Sequence, residues 1–426
     1  MNKPEFAVYL PAVNTLYAQA VTLPVPKGRP FPDGFDMGDL EFWKKSSGKN
    51  LWHYPYFLHS AGQYKIGTMP DNAVTRRGRT DGVLIGDSGG FQIGNGKLSG
   101  LVGLEPAMDP DMACAAWREN VDARLWIVNW LETYANYAIT IDMPLWAATQ
   151  HGVNSPFHRC SPEQLTQLTV ENLKFIDAHR QGRTKWLNVV QGATVPAIMR
   201  WWDAVKWFEC SGYAMSSSGG KAAGLHALLE PLLLMRDENA FRAGRDWIHL
   251  LGVSTVGWAV VLSAIQRALR STVNPELTIS YDSAAPFQDA AIREQYVKKP
   301  NFQADMKAWV IRKAECPQSR LHVGSNKSLP FSSTIAEKLT LGHLSVKDGM
   351  YEAGQFDVIS RALLSNHNVK IYLDSFEEAN RLVSAGSSLV PPLISDTIDL
   401  IERAFQAENW RDTLKGASAI VKAFKG

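Results

Sequence analysis

Short apolar runs recur along the chain, each followed by small or polar residues and then by a helical stretch. Val83-Leu84-Ile85 leads into a glycine turn, residues 137–141 end at Asp142-Met143-Pro144, and residues 186–190 end at Gln191-Gly192. Residues 212–215 enter a Ser/Gly cluster at 216–220, residues 247–251 end at Gly252-Val253-Ser254, and residues 277–281 end at Asp282-Ser283. An earlier candidate strand covers residues 54–58. Between these runs apolar residues recur at helical spacing. Leu262, Ile265 and Leu269 form one stripe with Ser254 or Thr255 as N-cap, and Leu165, Leu168 and Leu173 form another. Such alternation predicts a parallel sheet with helices outside it. The number of units favours a closed (β/α)8 TIM barrel over residues 1–300. An open doubly wound sheet is the alternative, but no GxGxxG follows the first strand. In a barrel, reactive groups collect at the C-terminal strand ends. Here those ends carry Asp87, Asp142, Gln191 and Asp282.

After residue 300 the pattern changes. Residues 305–313 read as helical, and Ser375-Phe376-Glu377-Glu378 reads as a capping box opening a helix that Gly386 closes. Pro391-Pro392 breaks the chain, and Ile398, Ile401 and Phe405 then form an apolar stripe. Residues 301–426 are expected to form a helical subdomain packed on the barrel.

Composition narrows the class. The 426 residues are 45% hydrophobic and 20% charged, enough for a large core without disulfide or metal staples. Cys114, Cys160, Cys210 and Cys316 are scattered with no CxxC pair, as in a reducing cytoplasm. No secretion-signal layout and no run of about 18 apolar residues occurs, so a cytoplasmic protein without a membrane span is expected. The net charge is +2, so any polyanion site must be a local patch. Arg76-Arg77-x-Arg79 precedes the strand leading to Asp87 and reads as a solvated loop on the far barrel face. Lys298-Lys299 follows the Asp282 strand and is a candidate phosphate contact. Glu41-Phe42-Trp43-Lys44-Lys45, followed by Trp52 and Tyr54, fits either a single-strand grip or a loop anchored by a buried tryptophan. Trp201-Trp202 reads as packing.

The turn Gly86-Asp87-Ser88-Gly89-Gly90-Phe91-Gln92 carries the densest chemistry. Its glycines allow backbone N–H groups close to a planar or anionic ligand, while Phe91 offers a stacking face and Gln92 a two-way hydrogen bonder. Asp87 and Asp282 both end strands and would face one mouth. One carboxylate can attack an anomeric carbon while the other moves a proton. A lone strand-end Asp is more often a helix N-cap; two of them with Asp142 beside them weigh against that.

These residues resemble the queuine/archaeosine tRNA-guanine transglycosylase superfamily. Asp87-Ser88-Gly89-Gly90-Phe91-Gln92 is similar to its signature, and the likeness continues in order over residues 80–370. Ile141-Asp142-Met143-Pro144 is similar to its base-reading segment, Val190-Gln191-Gly192 to its V-Q-G turn, and Gly212-Tyr213-Ala214-Met215 to its G-Y-A strand. Leu251-Gly252-Val253 is similar to its M-G-V turn, Tyr281-Asp282 to its nucleophile segment, and residues 363–368 to a late segment holding a zinc-ligating histidine. The resemblance implies base exchange without a required cofactor. Asp282 would be the nucleophile and Asp87 the general acid and base. Asp142, Gln191 and a backbone N–H at Gly219 or Gly220 would read the guanine edge, with Phe91 and Leu251 sandwiching the ring. Ser88, Gly89, Gly90, Gln92, Gly192 and Gly252 would complete the substrate site.

Two departures matter. The family's C-x-C-x-x-C cluster is missing, leaving Cys316, His322, His343 and His367 either as a rearranged zinc site or as ordinary residues with the metal gone. The basic P-T-R-x-x-R tract after the nucleophile is replaced by Ser283-Ala284-Ala285-Pro286-Phe287-Gln288. These losses shift the expected polymer from tRNA to DNA, towards a branch resembling DNA 7-deazaguanine transglycosylases that insert 7-cyano-7-deazaguanine. Accessory proteins that open the duplex would be partners. The alternatives are a tRNA enzyme and a non-catalytic nucleic-acid-binding subunit. The Gly86–Gly90 stretch is also similar to the nucleophile turn of chymotrypsin-like proteases, but Phe91 stands where those carry proline.

Overall fold

Eight parallel strands form the barrel: β1 Val8–Pro11, β2 Tyr56–Ser60, β3 Val83–Asp87, β4 Tyr137–Ile139, β5 Lys185–Gly192, β6 Gly212–Ser217, β7 Trp247–Leu250 and β8 Thr278–Ser283. The computed structural model describes residues 3–45, 51–217, 224–305, 307–317, 322, 324–344 and 356–424. Strand order is β1-β8-β7-β6-β5-β4-β3-β2, and the parallel bridge Ala12↔Leu58 joins the two ends of the sheet. Val13 N donates to Leu58 O at 2.9 Å across that seam. The seven strands anticipated from the pattern are all present. The eighth, β1, lies in the Phe6-Ala7-Val8-Tyr9-Leu10-Pro11 stretch that sequence reading passed over.

Side chains alternate across each strand, and this parity builds the site. Val8, Leu10, Leu58, Val83, Ile85 and Ile139 join Leu187, Val189, Ala214 and Trp247 in one cluster that fills the barrel axis. Their neighbours Tyr9, Phe57, Leu84, Trp186, Tyr213 and Ile248 face the surrounding helices in a second core. Each such burial contributes about 1.5–3 kcal/mol. Continuing the alternation upward puts Ser60, Asp87, Gln191, His249, Ser280 and Asp282 on inward-facing positions.

The region after 300 differs from the expected pattern in two places. Residues 305–313 are not a helix. The chain there leads into β10 (Arg312–Glu315), which pairs antiparallel with β9 (Gln295–Lys298). Ser375 does not cap a helix; it lies inside the 27-residue helix Val358–Ser384 and donates to Ile371 O at 2.6 Å. That helix is capped by Asp357, whose carboxylate is held by Arg29 at 2.7 Å. Gly386 does close it: at φ +60° it donates to Val383 O while Ser387 N reaches back to Leu382 O, a Schellman motif. Helices Val358–Ser384 and Pro392–Gln406 pack on the barrel helix Val256–Thr272.

The basic segment at 76–79 is not simply solvated. Arg77 donates to Tyr134 O at 2.7 Å and Arg79 to Glu132 O at 2.9 Å, capping helix Val121–Tyr134, while Arg76 pairs with Asp71. Phe42 and Trp43 are buried and Trp52 stacks on Phe42 at 4.9 Å, so that loop is anchored by its aromatics. Trp201 and Trp202 are core. Lys299 is balanced by Glu378 at 3.4 Å and Asp374 at 3.8 Å, and Lys298 lies over the Tyr296 ring, so the charge at this pair is largely met within the protein. Among the described residues no helix is long and apolar enough to cross a membrane.

Candidate active site at the barrel mouth

Asp87 ends β3 beside Ser60, its register partner at the end of β2. Its Oδ2 accepts from Gly89 N at 3.2 Å, and the Ser60 side chain hydrogen-bonds the same carboxylate. Burial pushes the Asp87 carboxyl up; the Ser60 bond opposes this and the negative charge of Asp282 reinforces it. Gly89 can hold this turn because it has no Cβ. At φ +91° it sits so near Gly62 that an added Cβ would meet the Gly62 Cα at 2.7 Å.

Asp282 ends β8. Its Oδ1 accepts from Gly252 N at 2.9 Å and lies 3.3 Å from His249 Nε2. His249 is fully buried, and its Nδ1 is 2.9 Å from Ser280 Oγ. Ser280 Oγ in turn accepts from the Trp247 indole at 2.7 Å. The indole N–H only donates, so the Ser280 hydrogen is free to point at Nδ1. With the ring hydrogen on Nε2, that nitrogen would stand 3.3 Å from the Asp282 carboxylate, although as placed it makes no hydrogen bond. His249 was not among the sequence candidates. The signal was present, a polar residue at an inward position of an otherwise apolar strand, Trp247-Ile248-His249-Leu250.

Asp142 follows β4 and is buried beside the turn. Its Oδ2 accepts from Gln191 Nε2 at 2.8 Å, and an added Cβ on Gly90 would meet its Oδ1 at 3.1 Å. Burial first, then the charge of Asp87, pushes the Asp142 carboxyl up to about 7. Gln191 has a different task from the expected one. Its amide also donates to Met143 O at 3.1 Å and accepts from Leu145 N at 2.9 Å, so it orients Asp142 and has little capacity left for a base.

The chain matches no protein-family model and no curated protein sequence.

The remaining candidates divide. Phe91 is 67% exposed, with its ring 5.6 Å from that of Trp146, a neighbour the sequence did not single out. Leu251 is half-buried at the top of the axial cluster, and Gln92 folds back on Gly62. Ser88 is a correction. It is fully buried on the outward parity and donates to Thr140 O at 3.1 Å, so it faces neither a ligand nor a histidine. Gly192 is another: a Cβ there would meet Ile198 N at 2.5 Å, so the glycine serves strand–helix packing. Gly219 and Gly220 lie outside the described residues.

The four metal candidates do not assemble. His367 uses Nδ1 on Ser333 Oγ at 2.8 Å and Nε2 on Val297 O at 3.0 Å, and burial lowers its pKa to about 4. His343 Nδ1 accepts from Thr340 N at 3.0 Å. Burial raises the Cys316 thiol to about 12, which disfavours the thiolate a metal needs. His322 contributes its backbone carbonyl to Ser325 N. Among the described residues, no three His, Cys, Asp or Glu side chains are grouped to hold a metal ion.

Proposed function

We propose that this chain is a base-exchange transglycosylase that removes guanine from DNA and installs a 7-deazaguanine, such as 7-cyano-7-deazaguanine, through a glycosyl–aspartate intermediate. The reading rests chiefly on one observation: Asp87 and Asp282 take inward positions at the C-terminal ends of β3 and β8, and Asp142 lies against the Gly89–Gly90 turn that follows Asp87, so three carboxylates gather at one mouth. The resemblance of the Asp87–Gln92 turn and of the ordered segments after it supplies the substrate class.

Asp282, as carboxylate, attacks C1′ of the target deoxynucleotide. The C1′–N9 bond breaks, and its electron pair leaves with guanine, which takes the proton Asp87 holds. A sugar ester on Asp282 remains. The incoming 7-deazaguanine gives its N9 proton to the Asp87 carboxylate, its N9 attacks C1′, and Asp282 departs. Atoms and charge balance over the cycle, and the ester keeps the sugar activated without a cofactor. A raised Asp87 pKa suits a group that must first give a proton and then take one. Asp142, oriented by Gln191, would accept from guanine N1–H and the exocyclic amine. Phe91 and Leu251 would flank the ring, stacking on the aromatic being worth about 1–3 kcal/mol. The target base must leave the duplex to arrive there.

DNA is favoured over tRNA because the segment after Asp282 carries no basic tract. It forms helix Ala285–Ala291 with Phe287 buried. The test is to incubate the protein and 7-cyano-7-deazaguanine with duplex DNA or tRNA carrying labelled guanine. Release of label from DNA supports the reading, release from tRNA alone reassigns the polymer, and an unchanged rate in Asp282→Ala removes the nucleophile. No exchange on either polymer, even with duplex-opening partners added, would favour the binding-subunit alternative.

A further inference from the structure

The terminal helices Trp410–Gly416 and Ser418–Ala423 and helix Leu225–Asp237, which follows β6, enclose a groove of about 870 Å³. Leu414, Val421 and Phe424 form its apolar floor. Arg411, Lys415 and Lys422 stand exposed along it. Arg411 and Lys415 are one helical turn apart and so share a face. The Arg411 guanidinium lies 4.3 Å from the Trp410 ring centre, and that indole is fixed to Asp237 at 2.8 Å. Among the described lining residues the acid is Glu230, already 3.1 Å from His226. No ion pair joins Arg411, Lys415 or Lys422 to a described carboxylate.

The groove starts at the rim of the mouth and runs down the outside of helix Leu225–Asp237 to Asp237 at its far end, where Trp410 and Arg411 sit. In this barrel a helix begins on the face where the preceding strand ends. Gly224 opens the helix after β6, and Phe424 packs edge-on against Trp258 at 5.1 Å, in the first turn of the helix after β7. The loop leading to that helix contains Gly252, which holds Asp282.

We propose that this groove holds the sugar–phosphate backbone of the DNA strand as it runs from the mouth along the outside of the barrel, an assignment that rests on the transglycosylase reading for its choice of polymer. Exposed Lys415 and Lys422, with Arg411 over the Trp410 ring and near Asp237, line an apolar floor and match phosphates spaced along deoxyriboses. Each neutralised phosphate adds about 0.9 to the slope of log affinity against log salt, so three contacts account for a slope of about 2 to 3.

The test is fluorescence anisotropy of labelled duplex DNA across a salt series. The variant with Arg411→Gln, Lys415→Gln and Lys422→Gln should lose tenfold or more in affinity at moderate salt, and its slope should fall by about 2. Unchanged affinity and slope overturn the proposal. Loss of tRNA binding with DNA binding intact overturns the choice of DNA. If the triple variant melts early, Lys415→Gln and Lys422→Gln alone each decide the matter through a slope loss of about 1. DNA binding that depends on these cations in a wild-type protein without exchange activity would sink the catalytic reading and leave the groove standing.

Discussion

His249 Nε2 lies 3.3 Å from Asp282 Oδ1, the two side chains entering the barrel from adjacent strands β7 and β8. The Trp247–Ser280–His249 chain holds the imidazole in place beside the carboxylate. His249 is thereby placed to position Asp282, the nucleophile of the proposed reaction, and misplacement of a reacting group by about 1 Å can cost about 100-fold. His249→Phe should lower the single-turnover rate by about that factor, with DNA affinity unchanged. Ser280→Ala, which frees the ring without removing it, should cost about tenfold and shift the pH profile of the rate. Equal rates in both variants and wild type would refute the role.

Asp142 gives two pH signatures. With a folded pKa of about 7 against ~3.9 in an unfolded chain, the native state keeps a proton the unfolded chain has lost. Its stabilising contribution is complete below about pH 4 and is lost as pH rises towards 7, on the order of 4 kcal/mol at most. Asp142→Asn cannot ionise, so its melting temperature should exceed that of wild type at pH 8, and the gap should shrink on acidification. Calorimetry at pH 5 and pH 8 checks this.

On the transglycosylase reading the same group governs base binding in the opposite sense. Only the carboxylate accepts both guanine hydrogens, so affinity for the free base should rise about tenfold from pH 6 to pH 8. Asp142→Asn should bind weakly and without that dependence. Titration calorimetry across this range measures it.

The glycines of the turn separate by role. Gly89→Ala faces both a left-handed φ of +91° and the Gly62 backbone, and should lose about 1–3 kcal/mol of stability together with activity. Gly90→Ala meets Asp142 Oδ1 at 3.1 Å and should weaken base binding with little change in melting temperature.

Ser88→Ala removes only the bond to Thr140 O, at a cost of about 1 kcal/mol, and base exchange should persist. Labelling of Ser88 by a fluorophosphonate would contradict its burial.

The barrel was legible because strand-end polar residues broke runs of β-branched and aromatic ones at regular spacing. Asp87, Asp142 and Asp282 stood out for that reason. β1 gives a weak local signal because it has four residues and ends in a proline, and its strand character comes from the ladder to β8. Ser375 imitated a cap because helix Val358–Ser384 is stabilised by burial along its length, which overrides the local preference of one serine. Whether a side chain such as Ser88 or Gln191 faces the ligand or the scaffold depends on partners distant in sequence, Thr140 for one and Met143 and Leu145 for the other. No short motif carries that information.

The seam between β1 and β2 sets an order of events. β1 takes its ladder from β8, and towards β2 it is held by the Ala12↔Leu58 bridge and by the Tyr54 hydroxyl on Tyr9 O. The full ladder of the first strand therefore needs residue 283, made long after it. Asp87 is made early, yet Asp282 lies on the strand that closes the barrel against β1, so the paired carboxylates belong to the completed ring and not to any part of it.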